Sequence, residues 1–182
     1  YYYYNMGKPE MAGLIYLDGH YYFAKDGKGT IVTNRTYYNW KSNGLLPEGD
    51  YQFGPDGKMR DGIVEIDGGY YYYKNGKRTA NAGVMEIDGS YYYIGSSAIA
   101  VAGRTAWVGV TNGLVPAGTY RFAADGKMIM TTEIVNENGA LYYYQNGVRT
   151  ASAGLICFNG EYYYIDGSAK AVVNRTVWIS KT

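Results

Sequence analysis

The chain has 182 residues and is rich in glycine and tyrosine, with 26 Gly and 24 Tyr against only 4 Pro and 4 Phe. Lys and Arg total 17 and Asp and Glu total 16, so there is no basic excess to neutralise a phosphate backbone, and a nucleic-acid partner is not expected. The sequence has no run of about 18 apolar residues, so membrane insertion is not expected. The single cysteine, Cys157, excludes an internal disulfide. Because there is no Cys/His cluster, neither a metal nor a cofactor is expected.

Turn-forming glycine and strand-favouring tyrosine together predict an all-β chain of many short strands. Four segments share one order: a Gly, an apolar strand, an Asp-Gly or Asn-Gly pair, an aromatic strand and a second Gly turn. Both residues of such a two-residue turn need positive φ, which Gly, Asn and Asp adopt at low cost. We therefore predict β-hairpins over 13–27, 62–76, 83–95 and 154–167, with their turns at Asp18-Gly19, Asp67-Gly68, Asp88-Gly89 and Asn159-Gly160.

Two longer themes repeat along the chain. Residues 74–80 return 71 residues later at 145–151, and residues 43–49 return 69 residues later at 112–118, each time followed by Tyr-x-Phe and Asp-Gly-Lys-Met. These offsets predict long units over about 1–69, 70–140 and an incomplete 141–182. The opening tyrosine run recurs inside a hairpin, which indicates a fragment of a longer surface protein.

The hairpins are predicted to form a single array over residues 1–182. An isolated two-stranded hairpin is marginal in water, so each one needs a neighbour to bury its apolar face. No linker or shift in composition interrupts the series, which favours one elongated β-solenoid over two globular domains.

Strand alternation predicts which side chains face the core. The middle residue of Tyr51-Gln52-Phe53 is polar, so the first and third positions are expected to be buried. The same register predicts inward side chains at Tyr21, Phe23, Tyr70, Tyr72, Tyr91, Tyr93, Leu141, Tyr143, Tyr162 and Tyr164, joined from the preceding strands by Ile15, Leu17, Val64, Ile66, Met85, Ile87, Ile156 and Phe158. It places Glu65, Glu86 and Cys157 on the opposite face of those strands. It predicts a ladder of outward tyrosines, one per hairpin, at Tyr22, Tyr71, Tyr92, Tyr142 and Tyr163.

The order of Gly, apolar pair, Asp-Gly, Tyr-Tyr-Tyr and Gly-Lys closely resembles the cell-wall-binding repeat superfamily of Gram-positive surface proteins, and residues 13–23 are one stretch that carries the resemblance. Choline-binding modules, glucan-binding repeats and the receptor-binding repeats of large clostridial toxins belong to that superfamily. The resemblance implies stacked hairpins with ligands in aromatic-lined grooves between them. Choline-binding repeats carry Gly-Trp at the strand start, whereas Leu14, Ile63, Val84 and Leu155 follow the glycine here, so a cage for quaternary ammonium is not expected. The chain is more similar to the toxin-like and glucan-like branches, which implies carbohydrate recognition.

Carbohydrate recognition needs aromatic platforms for sugar faces with hydrogen-bonding groups beside them. The outward tyrosines are the first candidates, with plain packing between hairpins as the alternative. A recurring Arg-Thr pair followed by an aromatic residue is the second, at Arg35, Arg104 and Arg175 with Tyr38, Trp107 and Trp178. Because tryptophan is highly buried on average, the favoured alternative for this second set is a structural plug at a solenoid corner.

Catalysis is not expected from this sequence. The single histidine, His20, has no nearby nucleophile, and a convex repeat surface gives Glu65 and Glu86 no cleft in which to act as a glycosidase pair. The Asp-Gly pairs lack the dense oxygen ligands of calcium loops, so turn chemistry explains them.

The sequence thus predicts a non-catalytic module of an extracellular, secreted or cell-wall-associated bacterial protein that binds a cell-wall polymer or another glycan. Two alternatives stay open: a structural spacer, and an adhesin that binds a host protein.

Overall fold

The computed structural model describes residues 1–5, 8–9, 12–80 and 83–179, and in these ranges the protein consists of β-strands, turns and loops without a helix. No described segment is a helix long and apolar enough to cross a membrane. The chain divides into two compact units, unit 1 with residues 1–81 and 96–100 and unit 2 with residues 82–95 and 101–182. The all-β prediction is confirmed, whereas the single elongated solenoid stays a prediction.

The described residues of unit 1 form nine strands. They are β1 (Tyr4–Asn5), β2 (Lys8–Pro9), β3 (Gly13–Leu17), β4 (His20–Ala24), β5 (Arg35–Asn39), β6 (Gly49–Phe53), β7 (Gly62–Ile66), β8 (Gly69–Lys74) and β9 (Lys77–Arg78). The antiparallel sheets are β1-β2, β3-β4, β5-β6 and the three-stranded β7-β8-β9.

Unit 2 repeats this order from β3 onward and then adds one more hairpin. Its strands are β10 (Gly83–Ile87), β11 (Ser90–Ile94), β12 (Thr105–Val108), β13 (Gly118–Arg121), β14 (Glu133–Glu137), β15 (Ala140–Gln145), β16 (Val148–Arg149), β17 (Gly154–Phe158) and β18 (Glu161–Ile165). Here the two central sheets join through pairing of Tyr120 with Val148, which gives a five-stranded sheet of order β12-β13-β16-β15-β14. The last three residues of the predicted third long unit, 180–182, lie outside the described residues.

The four predicted hairpin turns are confirmed. Both residues of each turn have positive φ, as at Asp18 (49°) and Gly19 (79°), and the flanking strands pair antiparallel with the turn between them. Asn138 and Gly139 make the same turn between β14 and β15. Two consecutive residues with positive φ match the right-handed twist of the strands, which explains the choice of Asp or Asn before Gly.

The long repeat is visible as duplicated hydrogen bonds. Asn43 Nδ2 donates to the Leu14 carbonyl over 2.8 Å in unit 1, and Asn112 Nδ2 donates to the Val84 carbonyl over 2.8 Å in unit 2. Likewise the Tyr51 hydroxyl donates to the Pro47 carbonyl, and the Tyr120 hydroxyl donates to the Pro116 carbonyl. The repeated Asn-Gly and Pro therefore tie each long loop to the preceding hairpin and to its own strand.

The hairpins β3-β4 and β10-β11 are covered on both faces, which the sequence did not predict. In unit 1, Leu14 and Phe23 pack with residues of β6, whereas Ile15 and Ala24, on the other face, pack with Ile31. In unit 2 the main cluster consists of Val84, Val108, Val115, Tyr120, Phe122 and Met128, and a second cluster consists of Tyr143, Ile165 and Ala171.

This two-sided burial corrects the predicted ladder. None of the five tyrosines is exposed: Tyr22, Tyr71, Tyr142 and Tyr163 are half-buried, and Tyr92 is buried at 8% exposure, so its outward placement was wrong. The reason is that the face assigned to solvent contacts the next turn of chain, as where Tyr92 pairs with Lys127.

The inward set is only partly right. Phe23, Tyr72 and Tyr143 are buried, but Leu17 is 40% exposed and Tyr162 is 74% exposed. In unit 1 the hairpin β5-β6 follows β4 in sequence and covers the face that carries Tyr21, whereas the described residues after β18 form no strand that covers Tyr162. The prediction for the opposite face is confirmed, because Glu65, Glu86 and Cys157 are exposed.

Candidate functional site

An exposed aromatic side chain projects from unit 2 on strand β12. Ala106 and Val108 pack into the core cluster, so Trp107 between them points to the opposite side and is 66% exposed. The short strand and its alternation hold the indole ring on the surface with a fixed backbone beneath it.

The matching strand of unit 1 carries Tyr38, 69 residues earlier. Tyr37 packs against Phe23 with 5.1 Å between ring centres, and Asn39 is fully buried, so the intervening Tyr38 is 50% exposed. Each unit therefore presents one aromatic ring from the same strand position.

Polar side chains flank both rings on the same face of the sheet. Directly opposite residues of an antiparallel pair share a face, and Trp107 is opposite Thr119 while Thr105 is opposite Arg121. We name the set Thr105, Trp107, Thr119 and Arg121 the indole platform. In unit 1 the tyrosine platform consists of Thr36, Tyr38, Asp50 and Gln52, paired in the same way.

The alternative of a structural plug is wrong for the aromatic positions. Tyr38 and Trp107 are surface residues, and Trp178, which follows the last strand, is 84% exposed. The arginines of this motif, Arg35, Arg104 and Arg175, are exposed as well. Plug formation would require burial of the rings, whereas strand alternation points Tyr38 and Trp107 away from the core.

The half-buried Tyr142 and the buried Tyr144 of unit 2 form part of a charged cluster. The Cζ atom of Arg149 lies 3.9 Å from the ring centre of Tyr142, and Arg149 Nε donates to the Tyr144 hydroxyl oxygen over 3.1 Å. The Tyr144 hydroxyl donates to Glu137 Oε1 over 2.6 Å, and Arg149 forms an ion pair with Glu137. Burial raises the pKa of the Tyr144 hydroxyl and the hydrogen bond to Glu137 raises it further, so the group stays protonated at neutral pH.

A second ion pair completes this cluster. Arg121 lies 5.3 Å from the ring centre of Tyr144 and forms an ion pair with Glu133 on β14. Thr131 also donates to Glu133 through its hydroxyl. Both guanidinium groups of the cluster are thus neutralised by carboxylates of the same unit.

Unit 1 contains the same stack of arginine on tyrosine. The Cζ atom of Arg78 lies 3.9 Å from the ring centre of Tyr71 and 5.8 Å from that of Tyr73, while Arg60 lies 5.9 Å from the Tyr73 ring centre. The Tyr73 hydroxyl donates to Gln52 Oε1 over 2.6 Å, which places this cluster on the face of the tyrosine platform.

The sequence prediction missed Arg78 and Arg149. Both arginines belong to the seven-residue segment that recurs after 71 residues, which was interpreted only as a sign of architecture. The available signal was the tyrosine run that precedes each of them. Their stacking changes the role of the ladder residues Tyr71 and Tyr142, because one face of each ring is covered by a guanidinium group instead of lying open.

Neither a protein-family model nor a curated protein matches the chain. Solved structures do. Choline binding protein F from Streptococcus pneumoniae matches with a TM-score of 0.53 and 22% identity over 97% of this chain and 56% of its own. The same protein in the presence of a peptidoglycan analogue gives a TM-score of 0.52 and 21% identity over 97% of this chain and 57% of its own. CbpJ from Streptococcus pneumoniae TIGR4 gives a TM-score of 0.51 and 16% identity, over 94% and 76% of the two chains.

The chain spans slightly more than half the length of the choline binding protein F structures that it matches. These neighbours belong to the choline-binding branch of the superfamily that the sequence resembles, whereas the glycine-flanking residues favoured the other branches. At such low identity the likeness concerns architecture, and the chain has the β-hairpin repeat fold of the pneumococcal choline-binding proteins.

Proposed function

We propose that the chain is a non-catalytic module that binds a cell-wall polymer or another glycan on the outside of a bacterium. The observation that carries this proposal is the indole platform, an exposed ring fixed on a strand with hydroxyl and guanidinium groups on the same face. An aromatic face packs against the apolar face of a sugar ring, and the flanking donors and acceptors suit sugar hydroxyls.

The repetition of the platform favours a polymer over a single small ligand. Tyr38 and Trp107 occupy equivalent strand positions, so each unit offers one contact for a repeating chain. Several weak contacts on one polymer raise the overall affinity through the effective concentration of the second site.

Choline is the less suited ligand. Recognition of a quaternary ammonium group uses several aromatic faces, and the residues after the repeated glycine are aliphatic. Leu14 and Val84 are also fully buried in core clusters, at 1% and 0% exposure, so they take no part in a surface cage. The neighbours' names, one with a peptidoglycan analogue, support attachment to the cell wall, whereas a shared fold does not fix the ligand.

Tryptophan fluorescence offers a direct test, because Trp40, Trp107 and Trp178 are all exposed. We expect neutral oligosaccharides derived from bacterial wall glycan to shift the emission to shorter wavelength and to protect it from acrylamide quenching. Free choline is expected to compete poorly. The variant Trp107→Ala should lose most of the shift, whereas Trp40→Phe, at an exposed tryptophan outside both platforms, should keep it.

Two results would count against the proposal. A signal that is unchanged by any oligosaccharide at millimolar concentration would favour the spacer alternative. Displacement of a bound saccharide by choline would instead indicate the ligand class of the solved neighbours.

A further inference from the structure

The arginine clusters of the two units differ in one respect, which is the presence of carboxylates. In unit 2, Glu133 and Glu137 pair with Arg121 and Arg149. The strand β14 corresponds to β7 of unit 1, where the positions of those two glutamates are held by Gly62 and Ile66. Unit 1 therefore retains the stacked arginine and lacks the groups that neutralise it.

The acids nearest in sequence do not replace them. Asp61 accepts a hydrogen bond from the Asn75 backbone N–H over 2.9 Å, and Glu65 lies on the face of β7 opposite to Ile66. Among the described residues, Arg60 and Arg78 have no ion pair with a carboxylate.

The guanidinium of Arg78 is nevertheless held in place. The residue is exposed, its Cζ atom stacks at 3.9 Å on Tyr71, and its Nη2 atom lies 3.4 Å from the Tyr73 hydroxyl oxygen. Tyr73 is completely buried, so its ring is a rigid support. A fixed, planar guanidinium binds carboxylates through two parallel hydrogen bonds and loses little side-chain entropy in doing so.

We propose that Arg78, with Arg60 near the same Tyr73 ring, binds a carboxylate group of an acidic glycan, and that Glu137 in unit 2 occupies the equivalent position as an internal substitute for that group. The inference rests on the proposed function and narrows it to uronate-containing or similarly carboxylated polymers. In this proposal the cluster of unit 1 binds the carboxylate of the ligand. In unit 2, Glu133 and Glu137 already pair with the arginines of the corresponding cluster.

The test uses the full chain and isothermal titration with three probes: trigalacturonic acid, neutral maltotriose and a short glycerol phosphodiester oligomer. We expect the carboxylated probe to bind at least about tenfold more tightly than the neutral one at low salt, and Arg78→Gln to remove that preference. Equal or tighter binding of the phosphodiester would overturn the assignment to a carboxylate.

A shape-matched pair of variants, which differ only in charge, tests the role of Glu137 as an internal substitute. Ile66→Glu places a carboxylate where Glu137 stands in unit 2 and should weaken binding of trigalacturonic acid by about 10- to 100-fold. Ile66→Gln has nearly the same shape without the charge and should stay within about threefold of the wild type. Equal affinities of these two variants, both folded by circular dichroism, would refute the proposal.

The reciprocal change opens unit 2. Glu137→Ile should expose Arg149 and add a second site for trigalacturonic acid, and the lack of a second site would refute the equivalence of Glu137 with the ligand. The maltotriose arm separates this inference from the proposed function. If maltotriose binds as tightly as trigalacturonic acid, only the carboxylate inference is refuted. If no saccharide binds, both this inference and the proposed glycan-binding function are refuted.

Discussion

Adjacent residues on strand β12 give a prediction in which the smaller truncation costs more stability. Val108 is completely buried, whereas Trp107 is 66% exposed. Val108→Ala removes two carbon atoms, or about 1.6 kcal/mol of transfer free energy, and the remaining cavity raises the loss to about 2 to 3 kcal/mol.

Trp107→Ala removes a much larger side chain. A tryptophan buries at most about 250 Å², and with 66% of Trp107 exposed only about a third of that area is at stake. At about 25 cal/mol per Å², reduced by about 10–40% for a compact unfolded chain, the loss is about 1.3 to 1.9 kcal/mol.

Urea unfolding followed by far-ultraviolet circular dichroism measures both free energies. The expected order is a larger loss for Val108→Ala, together with retained saccharide binding by that variant under conditions where it is folded. Trp107→Ala should show the opposite combination. A greater loss of stability for Trp107→Ala would mean that the indole is part of the core, and the platform would then have no basis.

Three further predictions concern single residues. Asn112 has a φ of 53° and donates to the Val84 carbonyl. Asn112→Ala should lower the free energy of unfolding by about 2 kcal/mol and Asn112→Gly by only about 1 kcal/mol, because glycine keeps the left-handed backbone. Equal losses in urea unfolding would contradict this. Asn39 is buried; its Nδ2 donates to the Pro47 carbonyl, which also accepts from the Tyr51 hydroxyl, but its Oδ1 has no partner among the described residues. Val108 holds the equivalent position in unit 2, so Asn39→Val, which removes the unpaired Oδ1, should raise the melting temperature, and a fall would show that the bond to Pro47 outweighs it. Backbone N–H groups of Lys170 and Ser168 hold the pKa of Asp166 below its usual 3.8, so stability from this carboxylate is present above about pH 4 and is lost as the pH falls through the lower native pKa. Asp166→Asn should therefore reduce the pH dependence of unfolding below about pH 4, and an unchanged slope would show that Asp166 does not contribute.

The hairpins were predictable because their signals are local. An Asp-Gly or Asn-Gly pair between an apolar and an aromatic run specifies a turn through the positive φ of two adjacent residues, as at Asp67 and Gly68. Such a pattern needs no knowledge of the rest of the chain. The long repeat was also predictable, since Asn43 and Asn112 mark the same bond in both units.

The burial of the tyrosines was not predictable by the same argument. Alternation separates two faces of a hairpin but does not say whether a neighbour covers the second face. Tyr92 is buried by a segment near Lys127, more than 30 residues along the chain, and no local signal announces that contact. For Trp107 the general tendency of tryptophan to be buried pointed the wrong way, because the two flanking residues take the inward positions.

The arginine clusters depended on contacts that only the folded chain reveals. Arg78 and Arg149 look alike in sequence, and their difference lies in Ile66 and Glu137 on another strand.

The central claim is that the exposed aromatic platforms hold the chain on a wall glycan. A binding isotherm on purified Gram-positive cell walls tests it most directly, with the wild-type chain and the double variant Tyr38→Ala/Trp107→Ala sedimented side by side after a check of their unfolding midpoints. We predict saturable retention of the wild type that a wall-derived oligosaccharide competes away, and at least about tenfold weaker retention of the folded double variant. Equal retention of both proteins, or no retention of either, would contradict the account.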